Sequence, residues 1–270
     1  DKTMYTLLKY SYFIVLVAFF SCQKTKENTL IKTESKKQWK PLFNGKDLEG
    51  WSPKFNGYAY GHNYKNTFSV SEGHLKVSYD AYDNFTNEYG HLFYKTPFSY
   101  YTLRLQYRFV GKQAKGGASW AEKNSGVMIH CQAPETMLIE QGFPISLEVQ
   151  FLGGVNKEIA RPTGNLCTPG THVEINGLKE TAHCIPSKGK TYYGEEWVSV
   201  EIEVRKDSIT HYINKNRVIS YANPTFGGQF LETSSKKVQQ KDGESLKSGY
   251  ISLQSESHPI EFKNIEILEF

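Results

Sequence analysis

The sequence predicts an all-β protein, a two-sheet antiparallel sandwich of the jelly-roll kind. Three observations carry that expectation. Apolar and polar residues alternate strictly along several stretches, the stretches recur at hairpin spacing, and no long run of 3.6-residue periodicity follows residue 40. Aromatic residues make up 14% of the 270 positions, as 18 Tyr, 16 Phe and 4 Trp. Broad rings pack well on a pleated surface. They also suit sugar binding, and composition leaves both readings open. With 39% hydrophobic residues the chain can bury a core, which excludes a disordered protein. A formal charge of +4 with no Lys/Arg block argues against a nucleic-acid partner.

The N-terminal segment reads as an address. Lys2 and Lys9 precede an apolar run, Tyr10 to Phe20, that ends in Ser21-Cys22. A basic start, a short apolar stretch and a small residue describe a secretory signal, too short for a spanning helix. A Cys directly after the small residue resembles a bacterial lipobox, with Cys22 carrying the lipid. The expected organisation is therefore a signal over 1–22, a polar tether over 23–38 and one jelly-roll domain over 39–270. The protein is expected to be exported to a bacterial cell envelope and to meet the membrane only through its lipid anchor. Export makes disulfides possible, and Cys167 with Cys184 would staple the loop between them at a gain of roughly 3 kcal/mol. Cys131 lies in an alternating stretch and is expected as a buried thiol. No Cys/His zinc spacing is present.

In chain order, strands are expected at 74–79, 91–95, 101–109, 126–132, 145–152, 198–205, 249–255 and 260–269. A hairpin is expected from 209–213 and 217–221 around Asn214-Lys215-Asn216, where Asn tolerates positive φ. Three of these strands carry an unusual polar side. Met128, His130 and Gln132 oppose Val127, Ile129 and Cys131. Ser146, Glu148 and Gln150 oppose Ile145, Leu147, Val149 and Phe151, while Ser252, Gln254 and Glu256 oppose Ile251, Leu253 and Ser255. These polar sides hold no Lys or Arg, whereas the strands at 101–109 and 198–205 expose Arg104, Arg108 and Arg205. Amides, imidazole and carboxylate offer fixed donors and acceptors for hydroxyl groups. If the three strands are neighbours, their polar sides line one concave surface.

A retaining glucanase on a sandwich needs two carboxylates about 5–5.5 Å apart. Along one strand they would follow Glu-x-Asp-x-x-Glu, but here Glu148-Val149-Gln150 runs into Phe151-Leu152-Gly153. An ordinary two-carboxylate glycosidase is thus disfavoured. No nucleophile elbow, phosphate loop or dinucleotide fingerprint occurs.

The segment Leu42-Phe43-Asn44-Gly45-Lys46-Asp47-Leu48-Glu49-Gly50-Trp51 resembles the opening signature of the 3-keto-disaccharide hydrolase family. Asn124-Ser125-Gly126-Val127, Ser146-Leu147-Glu148-Val149-Gln150 and Gly249-Tyr250-Ile251-Ser252-Leu253-Gln254 fit the same family in order. The resemblance covers about residues 40–270. It implies a concanavalin A-like sandwich acting on an oligosaccharide or 3-keto-sugar. A ketone at C3 acidifies the C2 hydrogen, so one base can expel the C1 substituent by β-elimination before water adds back. Glu148 is the expected base, with His130 next as base, acid or metal ligand. Gln150, Gln132, Gln254, Glu256, His258, Arg161 and Trp120 are expected to contact substrate. The segment 161–192 is expected as a rigid flap over the face. A divalent ion that polarises the ketone is a further expectation, with His130, Glu148 and His172 as candidate ligands. A non-catalytic glycan-binding module of the envelope is the alternative reading.

Overall fold

The computed structural model describes residues 38–270; the expected signal with Cys22, and the expected tether as far as residue 37, lie outside the described residues. In chain order the strands are β1 (Lys40–Pro41), β2 (Trp51–Phe55), β3 (Phe68–Ser71), β4 (His74–Val77), β5 (Gly90–Tyr94), β6 (Tyr101–Phe109), β7 (Asn124–Cys131), β8 (Leu147–Leu152), β9 (Asn165–Cys167), β10 (Thr171–Ile175), β11 (Leu178–Glu180), β12 (Cys184–Ile185), β13 (Val198–Arg205), β14 (Ser208–Ile213), β15 (Asn216–Phe226), β16 (Tyr250–Ser255) and β17 (Ile260–Glu269). A seven-stranded sheet runs β12-β9-β8-β7-β16-β5-β2. A ten-stranded sheet runs β11-β10-β15-β14-β13-β6-β17-β4-β3, with β1 added on β17. All pairings are antiparallel, as the alternation requires of sheets with one wet face.

The inner faces bury the alternating residues against each other. Val127, Leu147, Val149, Phe151 and Leu253 on one sheet share a core with Leu103, Leu105, Val200, Ile202 and Phe262 on the other. Tyr107 stacks on Phe151 across the sandwich with ring centroids 4.2 Å apart. Each such side chain contributes about 1.5–3 kcal/mol by leaving water. The outer face of the ten-stranded sheet is ionic, with Arg104 bonded to Glu266 at 2.7 Å and Arg108 to Glu261 at 2.8 Å. That is an ordinary solvated face. The hairpin forms as expected, with Asn214 and Lys215 both at positive φ (46° and 67°), and the Asn214 side-chain oxygen accepts the Ser199 amide at 2.9 Å.

Two expectations are corrected. The first concerns β7. Its register with β16 slips between Tyr250 and Ser252, which pair with Cys131 and Met128, so β7 carries one extra residue. His130 takes φ 51° at this bulge. Its imidazole turns inward and meets the Tyr101 ring edge-on at 6.4 Å. Cys131 is thereby moved to the outer side with Met128, Phe93 and Met137. The second concerns residues 161–192, which do not form a separate flap. Cys167 and Cys184 are bonded to each other at directly paired positions of β9 and β12, on the edge of the seven-stranded sheet. β10 and β11 cross to the ten-stranded sheet. The disulfide therefore fastens a two-residue edge strand whose few hydrogen bonds hold it weakly. Replacing both cysteines by serine is expected to lower unfolding free energy by roughly 3 kcal/mol, read as a shift in urea midpoint at unchanged slope.

Candidate active site

The strands β8, β7 and β16 lie side by side in the seven-stranded sheet. Across them, Glu148 pairs with Met128 and Met128 with Ser252; Gln150 pairs with Gly126. Directly paired residues share a face. The outer face is divided into two parts. Around Ser252 it is sealed by hydrocarbon from Met128, Phe93, Cys131 and Met137. Around Glu148 it opens into a cleft of about 340 Å³.

The floor of this cleft is polar, formed by Glu148, Gln150, Asn124 and Glu256. Its wall is aromatic. Trp120 stacks on Tyr89 at 5.9 Å, Tyr89 meets Phe143 at 5.2 Å, and Phe143 meets Phe230 at 6.4 Å. His183 closes the ring against Phe230 at 4.9 Å, next to the Cys167–Cys184 bridge. Phe230 is held at φ 72°, a left-handed conformation that a bulky residue adopts only at a cost in backbone strain. Gly126 is required by the floor. A Cβ there would lie 3.0 Å from both Cγ and Oε1 of Glu148. The motif Asn124-Ser125-Gly126 thus leaves space for the carboxylate, while the Ser125 hydroxyl donates to the Gln254 carbonyl at 2.9 Å and ties β7 to β16.

The electrostatics of the floor are unusual. Glu148 and Glu256 are 6% and 3% exposed. Burial pushes Glu148 up to about 8. Burial first, and the Glu148 charge second, hold Glu256 well above the ordinary carboxylate range. Oε2 of Glu256 has no hydrogen-bond partner. The two groups titrate as a pair, and the pair resists losing both protons in a dry site. Sequence inspection along a single strand missed this pair because its members come from β8 and from just beyond β16, more than a hundred residues apart.

The remaining expected site residues are distributed as follows. Gln150 lies on the floor, where its Oε1 accepts the Asn165 amide at 2.9 Å. Trp120 stands at the rim, 51% exposed. Gln254 is on the same face but fully buried. Gln132 is occupied by its own loop: Oε1 accepts from Gln141 at 2.7 Å and from the Ile145 amide at 2.8 Å. Arg161 donates to the carbonyls of Glu122 and Gly153 at 2.6 and 2.7 Å, pinning the turn that carries Trp120. His258 faces Phe109 at 5.5 Å, and His172 sits on β10 in the other sheet. His130 points into the core. The three candidate metal ligands are therefore not together, and among the described residues no group of three or more His, Cys, Asp or Glu can hold a metal ion. Tyr89, Phe143 and Phe230 had no sequence signal, since each sits in a loop outside any periodic stretch.

A family model for the 3-keto-alpha-glucoside-1,2-lyase-like domain matches residues 38–268. Two solved structures from Parabacteroides distasonis ATCC 8503, both provisionally classed as glycosyl hydrolases, resemble this chain with TM-scores of 0.52. Their identities to it are 18% and 17%; the likeness covers 86% of this chain in both cases, and 100% and 94% of theirs. At such identities the likeness concerns the fold. No curated protein gives a match.

Proposed function

From the premise that this chain belongs to the 3-keto-alpha-glucoside-1,2-lyase-like family, we propose that it cleaves 3-keto-glycosides by elimination and hydration. The observation that carries this reading is the buried Glu148–Glu256 pair, in which burial favours the protonated form of both carboxyls. A glycosidase working through an oxocarbenium ion needs one carboxylate kept ionised as nucleophile or stabiliser. Neither member of this pair is held ionised by a neighbouring cation. Raised carboxyls instead suit proton transfer near neutral pH, where a stronger base is better matched to a carbon acid.

Glu148, the carboxyl of the Ser146–Gln150 motif on the cleft floor, is assigned the base, and Glu256 the acid. Ionised Glu148 takes the C2 hydrogen as a proton. The C2 electron pair forms the C1–C2 double bond, conjugated with the C3 carbonyl, as the C1–O bond breaks. Glu256 gives its proton to the departing oxygen. Water then adds its hydroxyl to C1 while Glu256 takes the water proton and Glu148 returns one to C2. Both carboxyls end as they began, and the products are a 3-keto sugar and an alcohol. Gln150, fixed by Asn165, is left with its Nε2 to orient hydroxyls.

Purified protein should therefore convert a 3-keto-glucoside and leave the unoxidised glucoside intact. Absence of turnover on 3-keto-glucosides of either anomer, with divalent metals supplied, would end the proposal. Trp120 and Tyr89 give the sugar or its leaving group a stacking platform. Trp120→Ala is expected to raise KM about fivefold with kcat and melting temperature nearly unchanged, matching the ~1 kcal/mol that a ring contact contributes.

A further inference from the structure

A second polar cluster on the same sheet is used by none of these steps. Lys54 pairs with His91 across β2 and β5, and His91 pairs with Gln254 across β5 and β16, so the three share one face. All are buried, at 1%, 0% and 0% exposure. Both ring nitrogens of His91 and both side-chain amide atoms of Gln254 lack a hydrogen-bond partner. Four orphaned polar atoms on adjacent residues are far from the usual condition of a protein interior, where such groups are satisfied by protein, water or ligand. Lys54 differs: its ammonium donates to the carbonyls of Phe55 and Ile139 at 2.6 and 3.0 Å, which fixes a cation beside the pair. The Phe143 ring lies edge-on to His91 at 5.7 Å and also lines the cleft. Phe143 thus borders both the open cleft and the His91 ring.

We infer that the cleft continues past Phe143, and that His91 and Gln254 form the seat for the oxidised carbon, binding the C3 carbonyl and an adjacent hydroxyl of the sugar. The inference rests on the 3-keto reading above. An α-hydroxy ketone needs a donor for its carbonyl and a donor with an acceptor for its hydroxyl. A neutral imidazole and a carboxamide supply that set. Burial, then the Lys54 charge, keeps His91 neutral, so it donates without carrying charge itself. The Lys54 cation behind it favours the negative charge that develops on the carbonyl oxygen when C2 loses its proton. The His91 N–H that donates to the ketone would meet a C3 hydroxyl whose own proton must compete with the neighbouring hydroxyl for Gln254 Oε1 or force a change of imidazole tautomer, so the unoxidised sugar binds less tightly.

The test uses Glu148→Gln protein, in which turnover is suspended, and titrates methyl 3-keto-α-glucoside against methyl α-glucoside by calorimetry. The keto sugar is expected to bind at least tenfold more tightly. Adding Gln254→Leu or, separately, His91→Phe should bring that ratio towards one with little change for the unoxidised glucoside. Two apolar replacements of similar size guard against one of them failing to fold, which near-UV circular dichroism reports. A ratio that stays at the Glu148→Gln value in both double variants overturns the inference and leaves the row a buried-water site. If the wild type turns over no 3-keto-glucoside and Glu148→Gln protein binds neither sugar, the functional reading fails and this inference with it. If the wild type turns over 3-keto-glucosides while the ratio is insensitive to both replacements, the inference alone fails.

Discussion

Glu148→Gln is expected to lower kcat on 3-keto-glucosides by about 10³-fold while leaving KM within a few-fold, because the amide keeps the shape of the floor and loses only the proton acceptor. The pH profile makes the prediction specific. In the wild type, kcat/KM should rise with pH as Glu148 ionises, with its midpoint close to the value of about 8 that burial imposes. It should fall again at higher pH as Glu256 gives up its proton. These midpoints belong to the pair rather than to either residue alone. Glu148→Gln removes the rising limb. Glu256→Gln should do something different: it removes the acid, so alkyl glycosides with poor leaving groups should suffer far more than nitrophenyl glycosides. Steady-state kinetics on one alkyl and one nitrophenyl 3-keto-glucoside, from pH 5 to 10, check both. If both variants slow both substrates equally, the division of labour between the carboxyls is wrong.

The parts of this design that were legible in the sequence are those a short repeat can write. Alternation with period two marked the strands around Leu103, Val149 and Val200, and the lack of Lys or Arg on three polar sides singled out the face that carries the cleft. Glu148 was visible because its alternation and its motif agreed. Glu256 was visible only as a residue, since its partnership with Glu148 arises when β16 docks beside β7. His130 shows how such reading fails. One inserted residue in β7 reverses every side chain beyond it, and nothing local distinguishes His130 from Met128 two positions earlier. The aromatic wall is invisible for a related reason. Tyr89, Phe143 and Phe230 stand in three loops, and only the closed sandwich brings the three rings into one contact chain. His91 falls at the start of the expected 91–95 strand, and nothing in its local sequence marks it, because its company with Lys54 and Gln254 comes only from the pairing of β2, β5 and β16.

Stability should vary with pH in two opposed ways, and single substitutions should separate them. His91, His130 and His211 are fully enclosed, and burial holds them down at about 3, 4 and 4. His211 is satisfied as a neutral ring, with Nδ1 against the Gly164 carbonyl and Nε2 against the Tyr221 hydroxyl, both at 2.9 Å. A folded-state value below the unfolded one means that the unfolded chain binds more protons. The contribution of each histidine is thus intact above about pH 6.5 and is lost as pH falls towards 4. At pH 5 each costs about 2 kcal/mol, so the three together take a large part of an ordinary 5–15 kcal/mol stability. The carboxyl pair acts with the opposite sign. Its raised values favour the folded state below about pH 4.5, and that advantage is lost as pH rises towards 8. Wild-type stability is therefore expected to peak near pH 6. His130→Asn keeps a residue that tolerates positive φ and cannot titrate; it should lose about 2 kcal/mol less than wild type between pH 7 and pH 5. Glu148→Gln should stand several kcal/mol above wild type at pH 8 and level with it near pH 4.5, a gain in stability at the expense of function that marks the cleft floor as a strained working surface. Urea titrations at pH 4.5, 5, 7 and 8 measure all of these differences, and a Glu148→Gln protein no more stable than wild type at pH 8 would show that the carboxyl is not held in a dry site.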